Sequence, residues 1–461
     1  MAGKKLKTIR EGAFSRSMAL ARMGVTMGAR AAGQAIGTLL DSPDERKSRA
    51  KEILMEQAQL LAGELGRLKG SVMKMGQMLA MVGDAFLPPE AAAALKTLQS
   101  DSPPLEWSKI EAQLRKQIAP ERLAELEIDP ESFAAASLGQ VHLARRKSDG
   151  ARIALKIQYP GVDGAIDGDL KTLRSLLAVF KIVPSRGATY DQMFEEVRAM
   201  LHQEVDYVRE LKNTEEFSAL LKGDDRYVVP KVYPEYSSRR VLATEFQDGV
   251  RLDGPEVKAL SQERRDRIAE LILELYMREV FEFRQVQTDP HFGNYRVRFA
   301  PDGRNDQLVL LDFGAVRKLP KTFVADYADL ALAIIQRDEL ESCAAAIRVG
   351  YLLDSDSADL VREFVKVSYL LLEPVAPPDG PHPPPTEWMT EKGLYRWAES
   401  DLPKRVAQAA PGIAIQFKLR AVPRESIFLD RKMGGIFFLV SSLSAVPDAR
   451  KIVLAALTKS A

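Results

Sequence analysis

Apolar and polar positions fall into successive textures along the chain. Leu61, Leu65, Leu68, Val72, Met75, Leu79 and Val82 recur at steps of three and four. That spacing lays one apolar stripe along a long helix. Asp41-Ser42-Pro43-Asp44 offers capping residues ahead of it, and Pro88-Pro89 stops it. Residues 1–48 read as a loosely ordered or helical lead, and 90–127 carry further helical pattern. At Ile128 the texture changes to short apolar runs separated by turn residues. Phe133 opens one run, Gln140–Ala144 forms a second and Arg152–Ile157 a third, with Ser148-Asp149-Gly150 between the last two. An Asp-Gly pair between apolar runs predicts a β-hairpin.

Helical pattern returns over 163–222, with Phe194, Val197, Leu201, Val205 and Val208 as its buried stripe. Val228–Tyr233 and Arg240–Phe246 predict strands, and the region from Ser261 to Phe283 a helix. A second hairpin is expected from Tyr295–Phe299 and Leu308–Leu311, joined through Pro301-Asp302-Gly303. From Lys321 on the pattern is mostly helical, interrupted by seven prolines between Pro374 and Pro385 that predict an exposed, extended loop. This order predicts an α+β fold with two lobes and a cleft between them. A basic segment (1–48) and a helical extension (49–127) lead into a small β-containing lobe with inserted helices (128–247). A mostly helical lobe (248–461) follows.

Composition narrows the choice of partners. Lys and Arg number 65 against 64 Asp and Glu, so no net positive field points to nucleic acid. The single cysteine, Cys343, rules out an intrachain disulfide framework and four-cysteine zinc sites. His142, His202, His291 and His382 form no pair at metal-ligand spacing. No apolar run reaches the ~18 residues of a membrane span. The first 30 residues hold seven Lys/Arg and one acid, Glu11, with Leu6, Ile9, Phe14, Met18 and Met23 interleaved. Such a stretch suits a transit peptide, a membrane-surface helix or a solvated basic helix packed by one face. Met73, Met75, Met78 and Met81 crowd one helix, as core packing or as the lining of an adaptable apolar cavity.

Candidate chemistry gathers around the second hairpin. Asp289-Pro290-His291-Phe292-Gly293-Asn294 sets an Asp five residues before an Asn. Asp312-Phe313-Gly314 follows the strand Val309-Leu310-Leu311, 18 residues beyond Asn294. Phosphoryl transfer needs hard oxygen ligands for Mg²⁺ on the phosphates, and a carboxylate near the attacking hydroxyl or water. Asn294 and Asp312 would supply the first and Asp289 the second. Each half alone is an ordinary turn; in this order around one hairpin they match the kinase arrangement of base and two metal ligands. Lys156 sits inside an apolar strand. Alone it reads as an edge-strand lysine facing water. It also resembles the strand lysine that meets phosphates and a helix glutamate in kinases. Where a Gly-rich loop would precede it stands Ala134-Ala135-Ala136-Ser137-Leu138-Gly139, stiffer for having one glycine.

Together these motifs resemble the UbiB-type (AarF/ADCK, ABC1-like) atypical protein-kinase-like family. Ala134, Ala135, Ala136 and Ser137 are similar to its alanine-rich loop, and Lys74-Met75-Gly76-Gln77 to its Lys-x-Gly-Gln signature. Glu204-Val205-Asp206, with Glu210 following, is similar to its Glu-x-Asp motif, and Arg431-Lys432-Met433-Gly434-Gly435 resembles its C-terminal stretch. The resemblance covers the chain beyond about residue 50 and departs from the family at Phe292, where proline is common. It also departs in lacking the paired membrane helices of many bacterial members.

The resemblance implies a bilobal kinase-like fold that binds ATP or ADP with Mg²⁺. Lys156 would contact phosphates and pair with Glu210. Asn294 and Asp312 would hold the metal, and Asp289 would act as base or water-positioning group. Lys74 and Gln77 are three apart, a spacing that lets both point at one spot, and Lys74 would be held by Glu204 and Asp206. Asp206 and Glu210 are four apart and would share a helix face. Without the other motifs, these acids read as a solvated flank and Lys74 as a lysine snorkelling beside a packing stripe. The implied activity is ATP hydrolysis supporting ubiquinone or related isoprenoid-lipid synthesis. Phosphotransfer to a lipid or small molecule is the alternative, and a nucleotide-binding scaffold the second. Implied partners are a lipid or quinone precursor, a membrane surface and quinone-biosynthesis enzymes, with a homodimer left open. The implied setting is the cytoplasmic face of a bacterial inner membrane, or the mitochondrial matrix at its inner membrane.

Overall fold

The computed structural model describes residues 104–136, 138–179, 188–417 and 423–460, with the isolated positions Glu52, Met55, Gln59, Lys74, Met75, Gly76, Met78 and Leu79. Most of the expected long helix, its stops, the basic N-terminus, Gln77 and Ser137 lie outside the described residues. The chain divides into two compact units. One gathers residues up to Lys212 together with 231–246, the other 213–230 together with 247–461.

In the first unit, α1 (Trp107–Gln117) and α2 (Pro120–Ala124) lead into β1 (Leu126–Ala135), β2 (Gly139–Arg146) and β3 (Arg152–Gln158). The strand β5 (Val241–Glu245) closes an antiparallel sheet in the order β1-β2-β3-β5. The expected turn between β2 and β3 forms at Asp149-Gly150, where Gly150 takes φ +73°, left-handed backbone that glycine adopts without penalty. On β3 the side chains alternate. Ile153, Leu155 and Ile157 are fully buried, whereas Ala154 and Lys156 belong to the opposite face. Met75, Met78 and Leu79 join this core beside Leu155, Phe194, Val197 and Leu201, so both described methionines are packing residues.

The helical region after β3 is three helices, α3 (Val162–Val179), α4 (Ala188–Glu204) and α5 (Tyr207–Leu220). The break at Val205-Asp206 corrects two expectations. The new helix restarts the register, so Tyr207 is buried and Val208 is 41% exposed instead of continuing the stripe. Asp206 lies in the break instead of on a helix face: its Oδ1 accepts from the Arg209 N–H (3.2 Å) and its carbonyl from the Glu210 N–H (3.1 Å). Asp is well suited to such a cap because its short side chain reaches the orphan donors of a first turn.

The second unit holds β4 (Tyr227–Val228), β6 (Val250–Arg251), β8 (Tyr295–Arg298) and β9 (Gln307–Leu310) in one sheet of order β4-β9-β8-β6. A separate two-stranded ribbon pairs β7 (Gln285–Gln287) with β10 (Val316–Lys318). The run Val228–Tyr233 is therefore not one strand. Val228 pairs in parallel with Val309, and past Pro230 the chain belongs to the first unit, where Val232 bridges Thr244. Strands β6, β7 and β10 are two or three residues long, too short for an alternation to show.

Helix α6 (Gln262–Met277) runs on into a π-helical turn, Arg278–Glu282. After the sheets come α7 (Lys321–Gln336), α8 (Glu339–Val349), α9 (Ala358–Leu371), α10 (Leu402–Phe417), α11 (Arg424–Ser442) and α12 (Ala449–Ser460). The proline-rich stretch is pinned at its start: buried Glu373 accepts from Arg405 (2.6 and 2.7 Å) and from the Tyr395 hydroxyl (2.6 Å). On α11 the buried stripe is Leu429, Lys432, Ile436, Leu439 and Val440, one position of which is a lysine. Among the described residues no helix is long and apolar enough to cross a membrane.

Candidate functional site

In the first unit the face of β3 opposite the core presents Lys156. Its Nζ meets Glu210 Oε1 at 2.7 Å and Oε2 at 2.9 Å, and lies 5.2 Å from the centre of the Tyr207 ring. Glu210, on the first turns of α5, is only 2% exposed. A carboxylate so buried is costly to leave unpaired, so this partnership is structural as well as chemical. Lys74 Nζ meets Glu204 Oε1 at 2.8 Å, with both side chains partly shielded from water.

The alanine-rich segment is extended. Ala134 and Ala135 end β1, opposite Val141 and Gln140, and are exposed; the Ala136 N–H then closes the turn on the Gly139 carbonyl at 2.8 Å. The single glycine of this loop is demanded by space. A Cβ at Gly139 would lie 2.4 Å from the Ile157 carbonyl oxygen, beside Lys156 on β3.

The second unit carries its own group of candidate residues. Pairing of Tyr295 with Leu310 sets the β8–β9 register, and the Leu311 N–H donates to the Asn294 carbonyl at 2.9 Å. Asn294 at the start of β8 and Asp312 just past β9 therefore stand at the same end of one hairpin. Asp312 Oδ1 accepts from the Gly314 N–H at 2.9 Å. Phe313 between them is buried against Phe217, with its carbonyl held by Asn213 Nδ2 at 2.8 Å.

The loop carrying Asp289 is gripped from several sides. Its carbonyl accepts from the His291 N–H (2.9 Å), Gln287 Nε2 (3.0 Å) and Asn294 Nδ2 (2.9 Å). Its N–H donates to Gln287 Oε1 at 3.1 Å. Its carboxylate lies between Arg431 Nη2, 2.9 Å from Oδ1, and Asn294 Nδ2, 3.2 Å from Oδ2. Its NH₂ is committed to Asp289, which leaves the side-chain oxygen as the acceptor of Asn294. An amide oxygen and a carboxylate are the hard donors that Mg²⁺ prefers, so the residues present fit that ion.

Residues 97–345 match the ABC1 atypical kinase-like domain. The chain belongs to this UbiB-type atypical kinase family. Over 388 residues it is 30% identical to the mitochondrial atypical kinase COQ8 of Schizosaccharomyces pombe, covering 84% of this chain and 60% of that protein. The mitochondrial COQ8 of Saccharomyces cerevisiae is also 30% identical, over 85% of this chain and 74% of the yeast protein. The chain thus spans about three fifths of the fission-yeast relative's length. Among solved structures, the Mycobacterium tuberculosis protein Rv3197, in complex with erythromycin, has TM-score 0.58 and 25% identity. That match covers 89% of this chain and 97% of that one. The α+β architecture is accordingly protein-kinase-like.

Several residues around the Asp289 loop carried no role in the sequence. Arg431 and Lys432 reach the Asp289 loop from α11, more than 140 positions away. Gly435 on the same helix meets Pro290 so closely that a Cβ there would lie 2.0 Å from Pro290 Cγ. Glu279, in the π-helical turn, faces Lys432 at 3.5 Å. Burial pushes the Glu279 carboxyl up to about 7, against the pull of Lys432 and of a hydrogen bond from the Gln287 backbone. A readable signal existed in one case: a lysine at a stripe position of an otherwise apolar helix face.

Proposed function

We propose that this chain binds ATP or ADP with Mg²⁺ and hydrolyses ATP in support of ubiquinone or related isoprenoid-lipid synthesis at a membrane surface. The observation that carries the nucleotide reading is the double contact of Lys156 with buried Glu210, the lysine–glutamate pair on which kinase phosphate binding depends. Lys156 would hold phosphate oxygens while Glu210 keeps its ammonium in place, under the turn closed by Ala134–Gly139. Asn294 and Asp312 would hold Mg²⁺, which when bound neutralises charge on the phosphates. Asp289 would orient the attacking water. Its carboxylate is fixed by donors on both oxygens, which suits an orienting group. Phosphoryl transfer through a loose transition state needs positioning more than strong basicity.

Hydrolysis is favoured over transfer to an acceptor because the Lys-x-Gly-Gln segment is added to the kinase plan. Its Lys74 is tethered to Glu204 in the unit that carries Lys156. Gln77 and Ser137 complete the proposed set. The names of the COQ8 relatives support a mitochondrial setting ahead of a bacterial cytoplasmic face. Lipid, membrane and quinone-enzyme partners follow from the family resemblance.

The test is Mg²⁺-dependent release of phosphate from ATP by the purified full chain, with and without liposomes bearing a quinone precursor. Release that rises with liposomes and disappears in Asp289→Asn is the expected result. Label appearing on the lipid instead of in solution would replace hydrolysis by phosphotransfer. Tight nucleotide binding with neither product would leave a scaffold.

A further inference from the structure

We infer that Lys432 is a positioning residue: through Gln287 it fixes the backbone of Asp289. The inference rests on the reading of Asp289 as the water-orienting group. Lys432 is 1% exposed and occupies a buried position of α11 between Leu429 and Ile436. Its Nζ lies 3.2 Å from Gln287 Oε1, 3.0 Å from the Tyr295 hydroxyl and 3.5 Å from Glu279 Oε2. An ammonium donates and accepts nothing, so it donates to the Gln287 oxygen and the Tyr295 hydroxyl and faces Glu279 as an ion-pair partner.

Gln287 is the element that transmits this. One amide side chain takes the Asp289 N–H on its oxygen (3.1 Å) and gives its NH₂ to the Asp289 carbonyl (3.0 Å). An amide can occupy its site in two flipped orientations of similar shape. Only one serves both ends of Asp289, and it is the one in which the oxygen also faces Lys432. A donor-only cation behind that oxygen disfavours the flip and strengthens the oxygen's grip on the Asp289 N–H.

Stability alone does not account for the pair. A buried lysine and glutamate replaced together by uncharged residues of similar volume commonly leave a protein as stable as before. The placement is also specific. Arg431 holds the Asp289 carboxylate, and the next residue, Lys432, holds the Gln287 amide that grips the Asp289 backbone.

The experiment compares wild type, Lys432→Met and the double variant Glu279→Gln/Lys432→Met, which leaves no unpaired buried charge. Three quantities are measured: thermal midpoint, steady-state Mg·ATP hydrolysis and amide hydrogen exchange of peptides spanning 285–295. The single variant is expected to lose stability. In the double variant the midpoint returns to near the wild-type value and KM stays within about twofold. kcat nevertheless remains roughly tenfold low, and exchange at Asp289 roughly tenfold fast, while amides of α6 keep their protection. Recovery of kcat and exchange along with the midpoint would make Lys432 a purely structural residue and overturn the inference. Should wild type release no phosphate, the hydrolysis reading falls, and exchange alone decides: acceleration at Asp289 upholds the positioning role, and unchanged exchange overturns it.

Discussion

Glu279 and Asp312 are two carboxylates in very different surroundings, and they should respond differently to removal of charge. Glu279 is 1% exposed, and burial lifts its carboxyl from about 4.5 in the unfolded chain to about 7. The folded state therefore holds a proton that the unfolded state releases between these values. This group's contribution is full below pH 4.5 and is lost as pH rises through 7. Lys432, Tyr295 and Tyr276 are titratable neighbours, and all three are shifted upward and keep their protons over this range. Relative to wild type, Glu279→Gln should gain about 2 kcal/mol between pH 5 and pH 8. Urea unfolding across that range checks it, and parallel pH profiles would refute it. Asp312 by contrast is proposed to earn its charge by holding a divalent cation. Asp312→Asn should weaken Mg²⁺-dependent ATP binding by about two orders of magnitude, on the order of 3 kcal/mol. Calorimetric titration with and without Mg²⁺ measures this, and retained metal dependence would remove Asp312 from the site.

Helix α11 matters at the scale of elements because it delivers three different contacts to one loop. Arg431 reaches the Asp289 carboxylate, Lys432 reaches Gln287, and Gly435 lets the helix backbone lie against Pro290. Phe438 adds an edge-on contact with Phe292, centroids 5.4 Å apart. The helix is thus seated by close packing, and a single methyl group should unseat it. Gly435→Ala should cost about 2 kcal/mol through overpacking against Pro290 and should lower kcat more than ATP affinity. Denaturant midpoints and steady-state kinetics test both parts. An alanine variant of wild-type stability would mean the loop yields easily, and with it the claim of close seating. At this scale the sequence read the stretch beyond Lys321 as mostly helical and was silent about the duty of α11. Its length and stripe are local properties; its target is not.

The whole molecule consists of two units with separate cores, one built on the β1-β2-β3-β5 sheet and one on the β8–β9 hairpin and its helices. The proposed phosphate lysine belongs to the first unit and the proposed metal ligands to the second. A ligand that binds only the native chain stabilises it by mass action. Mg·ATP at a hundredfold excess over its Kd should add about 2.7 kcal/mol, a rise of about 3 °C in thermal midpoint for a chain of this length. Lys156→Ala should abolish the shift. A wild-type chain whose midpoint ignores Mg·ATP would not be a nucleotide-binding protein.

What the sequence determined by itself was whatever depends on neighbours within a few positions. Period-two alternation put Lys156 on the face opposite Ile153, Leu155 and Ile157, the Asp149-Gly150 pair set the first hairpin, and the strand before Asp312 set the second. These follow from side-chain geometry along one strand and the φ preferences of one glycine, which need no distant partner. Tertiary structure alone decided the rest. It broke the helix at Val205-Asp206, which turned Asp206 into a cap and exposed Val208. It divided Val228–Tyr233 between the units at Pro230. It brought Arg431 and Lys432 to Asp289 and Gln287 across more than 140 residues. Such contacts are chosen by the packing of whole elements, and a buried charge finds its partner by where the fold carries it, so neither leaves a trace in local spacing.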